Sequence, residues 1–400
     1  MKKLRYPFGT ITITDKTKKL VNGALDSGRI SGGRLVREFE QGFARLVGTK
    51  EAVAMSSGTD ADALALAVLY DRGAQRGDEV IVPSLSFVAT GNAVLQAGFI
   101  PRFVDIERTT LNIDPRKIEA AVGPRTRGIM PVHLMGKPAD MDAVNAVAKK
   151  HGLLVVEDAA EAQSATYKGK NIGTLGDMAA FSLYIAHVIS TGEGGIVATD
   201  NPDYANTLRS LRAHGRACKC SSCMMSVSGG HCDKRFKHGT DIRFIFERVG
   251  FSAKMNELEA AIGLGYLDIY PEIYNARLRN FNYIHKKFAS LKPHLLTIDP
   301  VAGEEMAPYA FPVLVPPGAR FTRDQLMTYL EDNGVDTRSL FLSMPTQCPG
   351  FAFLGHKLGE FPEAEYCANN GLHIGLHQDI NEEHLDYFIE LTKKFLESRL

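Results

Sequence analysis

Four cysteines lie close together and follow the spacing Cys-x-Cys-x2-Cys-x8-Cys. They are Cys218, Cys220, Cys223 and Cys232. In a large intracellular chain, cysteines crowded in this way indicate a metal site rather than disulfides. Four thiolates suit an iron–sulfur cluster as well as structural zinc, and free thiols are a third alternative. Cys348 and Cys367 are isolated and are typical of small buried or surface thiols.

A second chemical candidate is His187, which follows a predicted buried strand and precedes a turn rich in glycine. A further apolar strand, Gly195–Thr199, comes after that turn. A histidine at a buried strand end is most often a satisfied core residue. Its unperturbed pKa near 6.5 also suits a general base at neutral pH.

A Gly-Thr turn at Gly58 and Thr59 joins a predicted strand, Glu51–Met55, to a predicted apolar helix, residues 61–70. This arrangement binds phosphate, because free backbone N–H groups and the positive end of the helix dipole converge on the anion. An ordinary helix N-cap at Ser57 or Thr59 would explain the same residues.

Short apolar runs alternate with helical patterns along the first half of the chain. The predicted strands after the first are 79–83, 100–104, 128–132, 153–158 and one that ends near 182. Such alternation predicts an α/β fold with a mostly parallel, doubly wound sheet, and the absence of G-x-G-x-x-G argues against a dinucleotide fold. Ligands of such sheets bind beyond the carboxyl ends of the strands. Gly58, Phe87, Asp158 and Ser182 follow strand ends and are therefore expected to converge.

The pattern changes after residue 309, where a strand at 311–315 alternates with helices at 322–333 and 382–396. We predict a large domain over 1–270, with the cysteine-rich loop inserted at 215–249. A smaller α+β domain is predicted over 271–400.

Composition excludes several classes of function. The 400 residues are 44% hydrophobic and carry 46 basic and 46 acidic side chains, so the formal net charge is zero. This balance gives no electrostatic footprint for nucleic acid or an anionic membrane. No apolar run reaches the roughly 20 residues of a membrane span, and no signal peptide is recognisable. We expect a cytoplasmic protein.

Six motifs resemble, in order, those of the DegT/DnrJ/EryC1/StrS sugar aminotransferases, a branch of the fold-type I pyridoxal-phosphate (PLP) enzymes. They occupy residues 55–59, 86–90, 157–161, 181–182, 192–195 and 255–258. In that family the sixth residue after the phenylalanine at 181 is the lysine that forms a Schiff base with the cofactor. Here that residue is His187, and no lysine lies between Lys170 and Lys219. The histidine is similar to that of the pyridoxamine-phosphate (PMP) nucleotide-sugar 3-dehydratases, a CDP-4-keto-6-deoxyglucose 3-dehydrase-like subgroup.

The resemblance implies roles for individual residues. Gly58, Thr59 and Ser182 would hold the cofactor phosphate, and Phe87 would stack on the pyridine ring. Asp158 would pair with the ring nitrogen and keep it protonated, so that the ring acts as an electron sink. Because a pyridinium provides a charge-assisted hydrogen bond, Asp158 is expected to stay ionised.

Two positions depart from the family pattern. Glu161 replaces the usual glutamine or histidine of the aminotransferases, and the dehydratases often have aspartate there. Ser252 replaces an asparagine that commonly reaches the cofactor phosphate of the partner subunit. Both are still expected to bind the cofactor, in a homodimer whose sites are completed across the subunit interface.

The resemblance further implies the reaction. His187 would act as the base while the C3 hydroxyl of a nucleotide-linked 4-keto-6-deoxyhexose is expelled. The cysteine loop would hold an iron–sulfur cluster that relays electrons from a reductase or ferredoxin, although Ala160 replaces a cysteine that ligates the cluster in the related dehydratase. One alternative is a self-contained dehydratase that regenerates its cofactor from glutamate. Another is a catalytically silent nucleotide-sugar-binding relative with a zinc loop.

Overall fold

The computed structural model describes residues 4–220, 231–237 and 239–399. The strands are β1 Glu51–Met55, β2 Glu79–Pro83, β3 Ile100–Val104, β4 Thr126–Ile129, β5 Leu154–Asp158, β6 Thr166–Tyr167, β7 Lys170–Asn171, β8 Met178–Ser182, β9 Gly195–Thr199, β10 Glu304–Glu305, β11 Ala310–Leu314, β12 Thr337–Ser339 and β13 Gly371–Gly375. The helices are α1 Asp15–Asp26, α2 Arg34–Val47, α3 Gly58–Ala67, α4 Val88–Gln96, α5 Pro115–Ala121, α6 Met141–His151, α7 Pro202–Leu211, α8 Glu257–Phe288, α9 Arg323–Asp332, α10 Met344–Gln347, α11 Pro362–Asn370 and α12 Glu382–Glu397. Short 3-10 helices lie at Val68–Arg72, Leu134–Gly136, Ile242–Phe244, Ala289–Leu291 and Pro349–Leu354.

A seven-stranded sheet in the order β1-β9-β8-β5-β4-β2-β3 organises the first half of the chain. The five strands from β8 to β3 pair in parallel, whereas β9 pairs antiparallel with both β1 and β8. The predicted mostly parallel α/β sheet is therefore confirmed. β4 ends at Ile129, earlier than predicted, and the nearby Pro131 has no N–H to donate to a ladder.

Alternation along the strands divides the apolar core into two clusters. Val53 and Val80 belong to the cluster that also contains Phe311 of β11, so one face of the large sheet is joined to the C-terminal part of the chain. Ala52 and Ile81 belong to the other cluster, with α2 and α6. Because both faces are covered, polar groups gather beyond the strand ends.

A single long helix, α8, continues through Pro271. It is 32 residues long, contains Pro271, and begins with a capping box formed by Asn256 and Glu259. An interior proline costs one backbone hydrogen bond, but buried Tyr270 and Ile273 pack on both sides of it. The predicted domain boundary at 270/271 falls inside this helix, so the division stays a prediction.

The C-terminal part contains a three-stranded antiparallel sheet, β11-β13-β12, and helices α9, α11 and α12. This agrees with the α+β pattern expected there, although sequence periodicity missed β12 and β13. Across the described ranges, no helix combines the length and apolar character needed to cross a bilayer.

Candidate active site

One cavity of about 360 Å³ lies beyond the carboxyl ends of β1, β2, β5 and β8. Seven residues predicted from the sequence line it: Gly58, Thr59, Phe87, Asp158, Glu161, Ser182 and His187. The eighth predicted residue, Ser252, is exposed and does not line the cavity. Its backbone forms an isolated antiparallel β-bridge with Ala213. Its predicted contact with a partner subunit stays a prediction.

The N-terminus of α3 opens onto this cavity. Ser57 caps the helix, since its Oγ accepts a hydrogen bond from the Asp60 N–H at 3.0 Å. The remaining N–H groups of the first turn have no intrahelical acceptor and carry the positive end of the dipole. Gly195 lets the chain pass close by, because a Cβ there would lie 2.1 Å from the Ser57 carbonyl oxygen. The same turn can therefore hold both the Ser57 cap and an anion bound to the free N–H groups at the start of α3.

We expect Gly58→Ala to damage this cradle. A Cβ at Gly58 would lie 2.6 Å from the Ser182 Cβ and 2.8 Å from its Oγ. Such overpacking costs about 1–3 kcal/mol, so the variant should unfold at lower temperature and bind phosphorylated ligands weakly. Gly23→Ala in α1 is the matched control, because nothing lies within 4 Å of its added Cβ. The control should gain about 0.5–1 kcal/mol, and equal stability of both variants would contradict the prediction.

Asp158 closes the cavity at the end of β5. It is buried, its Oδ2 accepts a hydrogen bond from the Thr90 hydroxyl at 2.7 Å, and its Oδ1 accepts one from the Ala160 N–H at 3.2 Å. Burial raises its pKa above the ordinary value, and these two hydrogen bonds oppose the rise. A cationic group at this point would lower the pKa of Asp158 again. Phe87, which is 58% exposed, provides an aromatic face on the same cavity.

Gln163 holds the loop that carries His187, and sequence reasoning missed it. Its Nε2 donates to the Ser182 carbonyl oxygen at 2.8 Å, and its Oε1 accepts from the Ile189 N–H at 2.9 Å. One buried amide thus ties together the two ends of the loop. Within the loop, the His187 N–H donates to the Tyr184 carbonyl oxygen at 2.9 Å.

The His187 ring lies between aromatic neighbours on the cavity wall. Its centroid is 5.4 Å from that of Tyr309 and 6.5 Å from that of Tyr184. Nδ1 is buried and has no hydrogen-bond partner among the described residues. Burial, followed by the charge of Arg277, lowers the pKa of His187 from 6.5 to about 4. The imidazole is therefore neutral at pH 7 and has a ring nitrogen free to accept a proton, although the lowered pKa makes it a weaker base than an exposed histidine.

This lowered pKa predicts a pH-dependent stability. The unfolded chain binds a proton at His187 below pH 6.5, whereas the folded chain does so only near pH 4. The stabilising contribution is complete above pH 6.5 and is lost as the pH falls from 6.5 to 4. Urea unfolding at pH 7 and pH 5 should show a larger loss for wild type than for His187→Asn. Equal losses would contradict the prediction.

Two further acids line the cavity. Glu161 Oε2 accepts a hydrogen bond from the Met135 N–H at 2.7 Å, and burial raises the pKa of Glu161 to about 8. Asp62, on α3, was not anticipated. Burial, followed by the charge of Asp158, raises its pKa well above the ordinary value. The sequence signal was weak, because an aspartate in the second turn of a helix usually faces solvent.

The cavity is suited to a phosphorylated, cationic aromatic ring. A helix N-terminus offers N–H groups at one end, a buried carboxylate lies at another, and Phe87 supplies a ring face. Among the described lining residues there is no lysine or arginine, whereas four carboxylic acids are present: Asp62, Asp158, Glu161 and Glu193. A covalent attachment through lysine is therefore not available from this wall.

The cysteine loop is described only in part, and Cys223 lies outside the described residues. Cys220 is exposed, whereas Cys218 and Cys232 are half-buried. The loop is braced by the Ala217 N–H, which donates to the Ile245 carbonyl oxygen at 2.9 Å. Within 4–220, 231–237 and 239–399, no three His, Cys, Asp or Glu side chains come together as a metal site. The predicted metal site stays a prediction.

The sheet order, the turn at Gly58 and the cavity beyond the strand ends are those of a fold-type I PLP transferase, as predicted. A solved structure of GDP-4-keto-6-deoxymannose-3-dehydratase with a trapped PLP-glutamate geminal diamine superposes with a TM-score of 0.84. The two sequences are 30% identical, and the superposition covers 97% of this chain and 100% of the dehydratase chain. The chain belongs to the DegT/DnrJ/EryC1/StrS aminotransferase family, whose profile matches residues 12–393.

Two curated relatives have different names. The dTDP-4-dehydro-2,6-dideoxy-D-glucose 3-dehydratase of Saccharopolyspora spinosa is 34% identical over 405 residues, which cover 98% of this chain and 86% of that protein. The GDP-perosamine synthase of Caulobacter vibrioides is 38% identical over 371 residues, which cover 92% of this chain and 91% of that protein. Overall similarity therefore shows the family, and residues in the cavity must distinguish between activities.

Proposed function

We propose that the protein is a PMP/PLP-dependent nucleotide-sugar 3-dehydratase that removes the C3 hydroxyl of a 4-keto-6-deoxyhexose. One observation carries this proposal: His187 occupies the cavity wall where aminotransferases of this family need a lysine. None of the described lining residues is a lysine. A histidine can move a proton but cannot hold the cofactor covalently, which supports dehydration over aminotransfer.

The chain's own residues would divide the work around the cofactor. Gly58, Thr59 and Ser182 would bind its phosphate, and Asp158 would hold the ring nitrogen protonated. When bound, the cofactor supplies a ring that accepts an electron pair. The neutral His187 would take the proton next to that ring, and the Tyr309 ring would keep the imidazole in place.

Regeneration from glutamate is the second part of the proposal. The similar 3-dehydratase structure with a PLP-glutamate adduct supports it, because a self-contained enzyme must restore its amine after each turnover. The nucleotide-sugar names of the relatives support the class of substrate. We further propose a homodimer in which Ser252 faces the partner's site.

Incubation with a panel of nucleotide 4-ketosugars, PMP and glutamate tests the proposal. The expected result is a keto sugar lighter than the substrate by one oxygen, released with ammonia when the enamine is hydrolysed, without any added reductase. Conversion of glutamate to 2-oxoglutarate should accompany it. Amination of the sugar would point to an aminotransferase instead. Binding of the nucleotide sugar without turnover would point to a silent relative.

A second candidate adds electron transfer, and only the spacing of the four cysteines favours it. Under this hypothesis the cysteine loop holds an iron–sulfur cluster, and electrons from a reductase complete the deoxygenation. The visible spectrum of anaerobically purified protein distinguishes the alternatives, since sulfur-ligated iron absorbs visible light and zinc does not. A colourless protein that needs no reductase would exclude this candidate.

A further inference from the structure

Arg277 is a buried arginine in the middle of α8, and the proposed chemistry gives it no role. Only 5% of it is exposed. Burial lowers its pKa to about 10, so the guanidinium is still charged at pH 7. Among the described residues its hydrogen bonds go to backbone carbonyls, and it has no carboxylate partner. A buried cation without a paired anion is costly, so this position needs an explanation.

Other buried side chains on the same face of α8 bind neighbouring backbone through neutral groups. The Tyr270 hydroxyl donates to the Gln163 carbonyl oxygen at 2.7 Å. The Asn280 amide donates to the Ile380 carbonyl oxygen at 3.0 Å. Positions 270, 277 and 280 are spaced by seven and three residues and therefore share one face of the helix. Since neutral groups suffice to fasten α8 to its surroundings, anchoring alone does not account for a charge at Arg277.

The contacts of Arg277 lead to the wall of the cavity. Its Nη1 donates to the Tyr309 carbonyl oxygen at 3.0 Å and to the Pro308 carbonyl oxygen at 3.4 Å. The Tyr309 ring lines the cavity, and its centroid lies 5.4 Å from that of the His187 ring, with the two planes tilted by 38°. Charge-assisted hydrogen bonds are roughly twice as strong as neutral ones. The backbone that carries the neighbour of His187 is therefore held by a stronger contact than Tyr270 or Asn280 can make.

We propose that Arg277 is a positioning residue for His187 that acts through Tyr309. By fixing the backbone at 308 and 309, the guanidinium keeps the phenol ring packed against the imidazole, while Gln163 holds the ends of the loop. The inference rests on the proposed function, because it assumes that the imidazole is the base. Position matters for the rate, since displacing a reacting group by about 1 Å can cost about 10²-fold.

Arg277→Met tests this role, because methionine keeps most of the side-chain length and removes the charge and its donors. We expect kcat for dehydration to fall about 10- to 100-fold. The KM for the nucleotide sugar and the affinity for PMP should stay unchanged, because Arg277 contacts neither the phosphate turn nor Asp158. Arg277→Lys keeps the charge and can donate to one carbonyl, so it should recover most of the lost rate. Arg277→Ala replaces the methionine variant if the latter does not fold.

The same substitution in the His187→Asn background separates positioning from a general loss of structure. Arg277→Met should not lower the remaining rate further there, since the base that it positions is absent. Tyr274→Phe is the matched control on α8. It removes a hydroxyl that donates to Glu305 Oε1 at 2.8 Å, in the connection before β11, and it leaves the contacts of Arg277 in place. This control should keep the wild-type kcat.

Three results would overturn the inference and leave the proposed function intact. They are a wild-type kcat in Arg277→Met, equal fractional losses with and without the imidazole, and a lysine variant no faster than the methionine variant. Full dehydration activity of His187→Asn would overturn both the inference and the proposed function, because the imidazole would then not be the base.

Discussion

His187→Lys should lose sugar dehydration and gain a covalent bond to PLP. The loop is held at both ends by Gln163, so the lysine side chain would enter the same cavity and its amine would react with the cofactor aldehyde. Loss of the positioned base should lower the dehydration rate by about 10²- to 10⁴-fold. Borohydride reduction followed by mass spectrometry of the intact chain would detect the attached cofactor.

His187→Asn is the matched control for this experiment. It removes the base without offering an amine, so it should lose the rate by a similar factor and form no covalent bond. PMP affinity should be nearly unchanged in the asparagine variant, because the phosphate turn and Asp158 remain. A lysine variant that dehydrates its substrate at the wild-type rate would remove the basis for the proposed role of His187.

Asp158→Asn should have the second largest effect. The amide cannot neutralise a pyridinium, so the ring would lose its proton and much of its capacity to accept electrons. We expect about a 10²- to 10³-fold loss of rate, as for other preorganised electrostatic groups, together with weaker PMP binding measured by absorbance titration. Thr90→Val is the graded control, since it removes one hydrogen bond and keeps the carboxylate. Its loss should be about tenfold.

Equal activity of Asp158→Asn and wild type would show that ring protonation does not depend on this carboxylate. A Thr90→Val variant as impaired as Asp158→Asn would instead indicate that the position of Asp158, rather than its charge, limits the reaction. The nitrogen-15 resonance of bound PMP separates these outcomes, because it changes only when the ring loses its proton.

Much of the sheet could be predicted because its strands are short apolar runs with clear ends. β1, β2, β3 and β9 have the bounds expected from the sequence. Because parallel strands point the same way, the predicted strand ends place Gly58 and Asp158 at the same edge of the sheet, beyond the carboxyl ends of β1 and β5. The continuity of helix α8 could not be predicted, because Pro271 is a strong local signal for a helix end that tertiary packing overrides.

Other parts of the site could not be predicted from local pattern. Gln163 and Tyr309 act through contacts with residues distant in sequence, and nothing in their own neighbourhood indicates this. Asp62 resembles an ordinary polar helix residue until the fold buries it. Cys223 lies outside the described residues, so the predicted metal site still rests on the spacing of the four cysteines in the sequence.

The two hydrogen bonds of Gln163 to the backbone of Ser182 and Ile189 bear on how new activities could arise on this fold. The backbone ends of the catalytic loop are secured by an amide outside the segment 183–188, and the imidazole Nδ1 contributes no hydrogen bond within the described residues. Residue 187 can therefore be exchanged without refolding the segment around it. If His187 has the proposed role, we expect a single codon change at this point to exchange dehydration for aminotransfer while the scaffold persists.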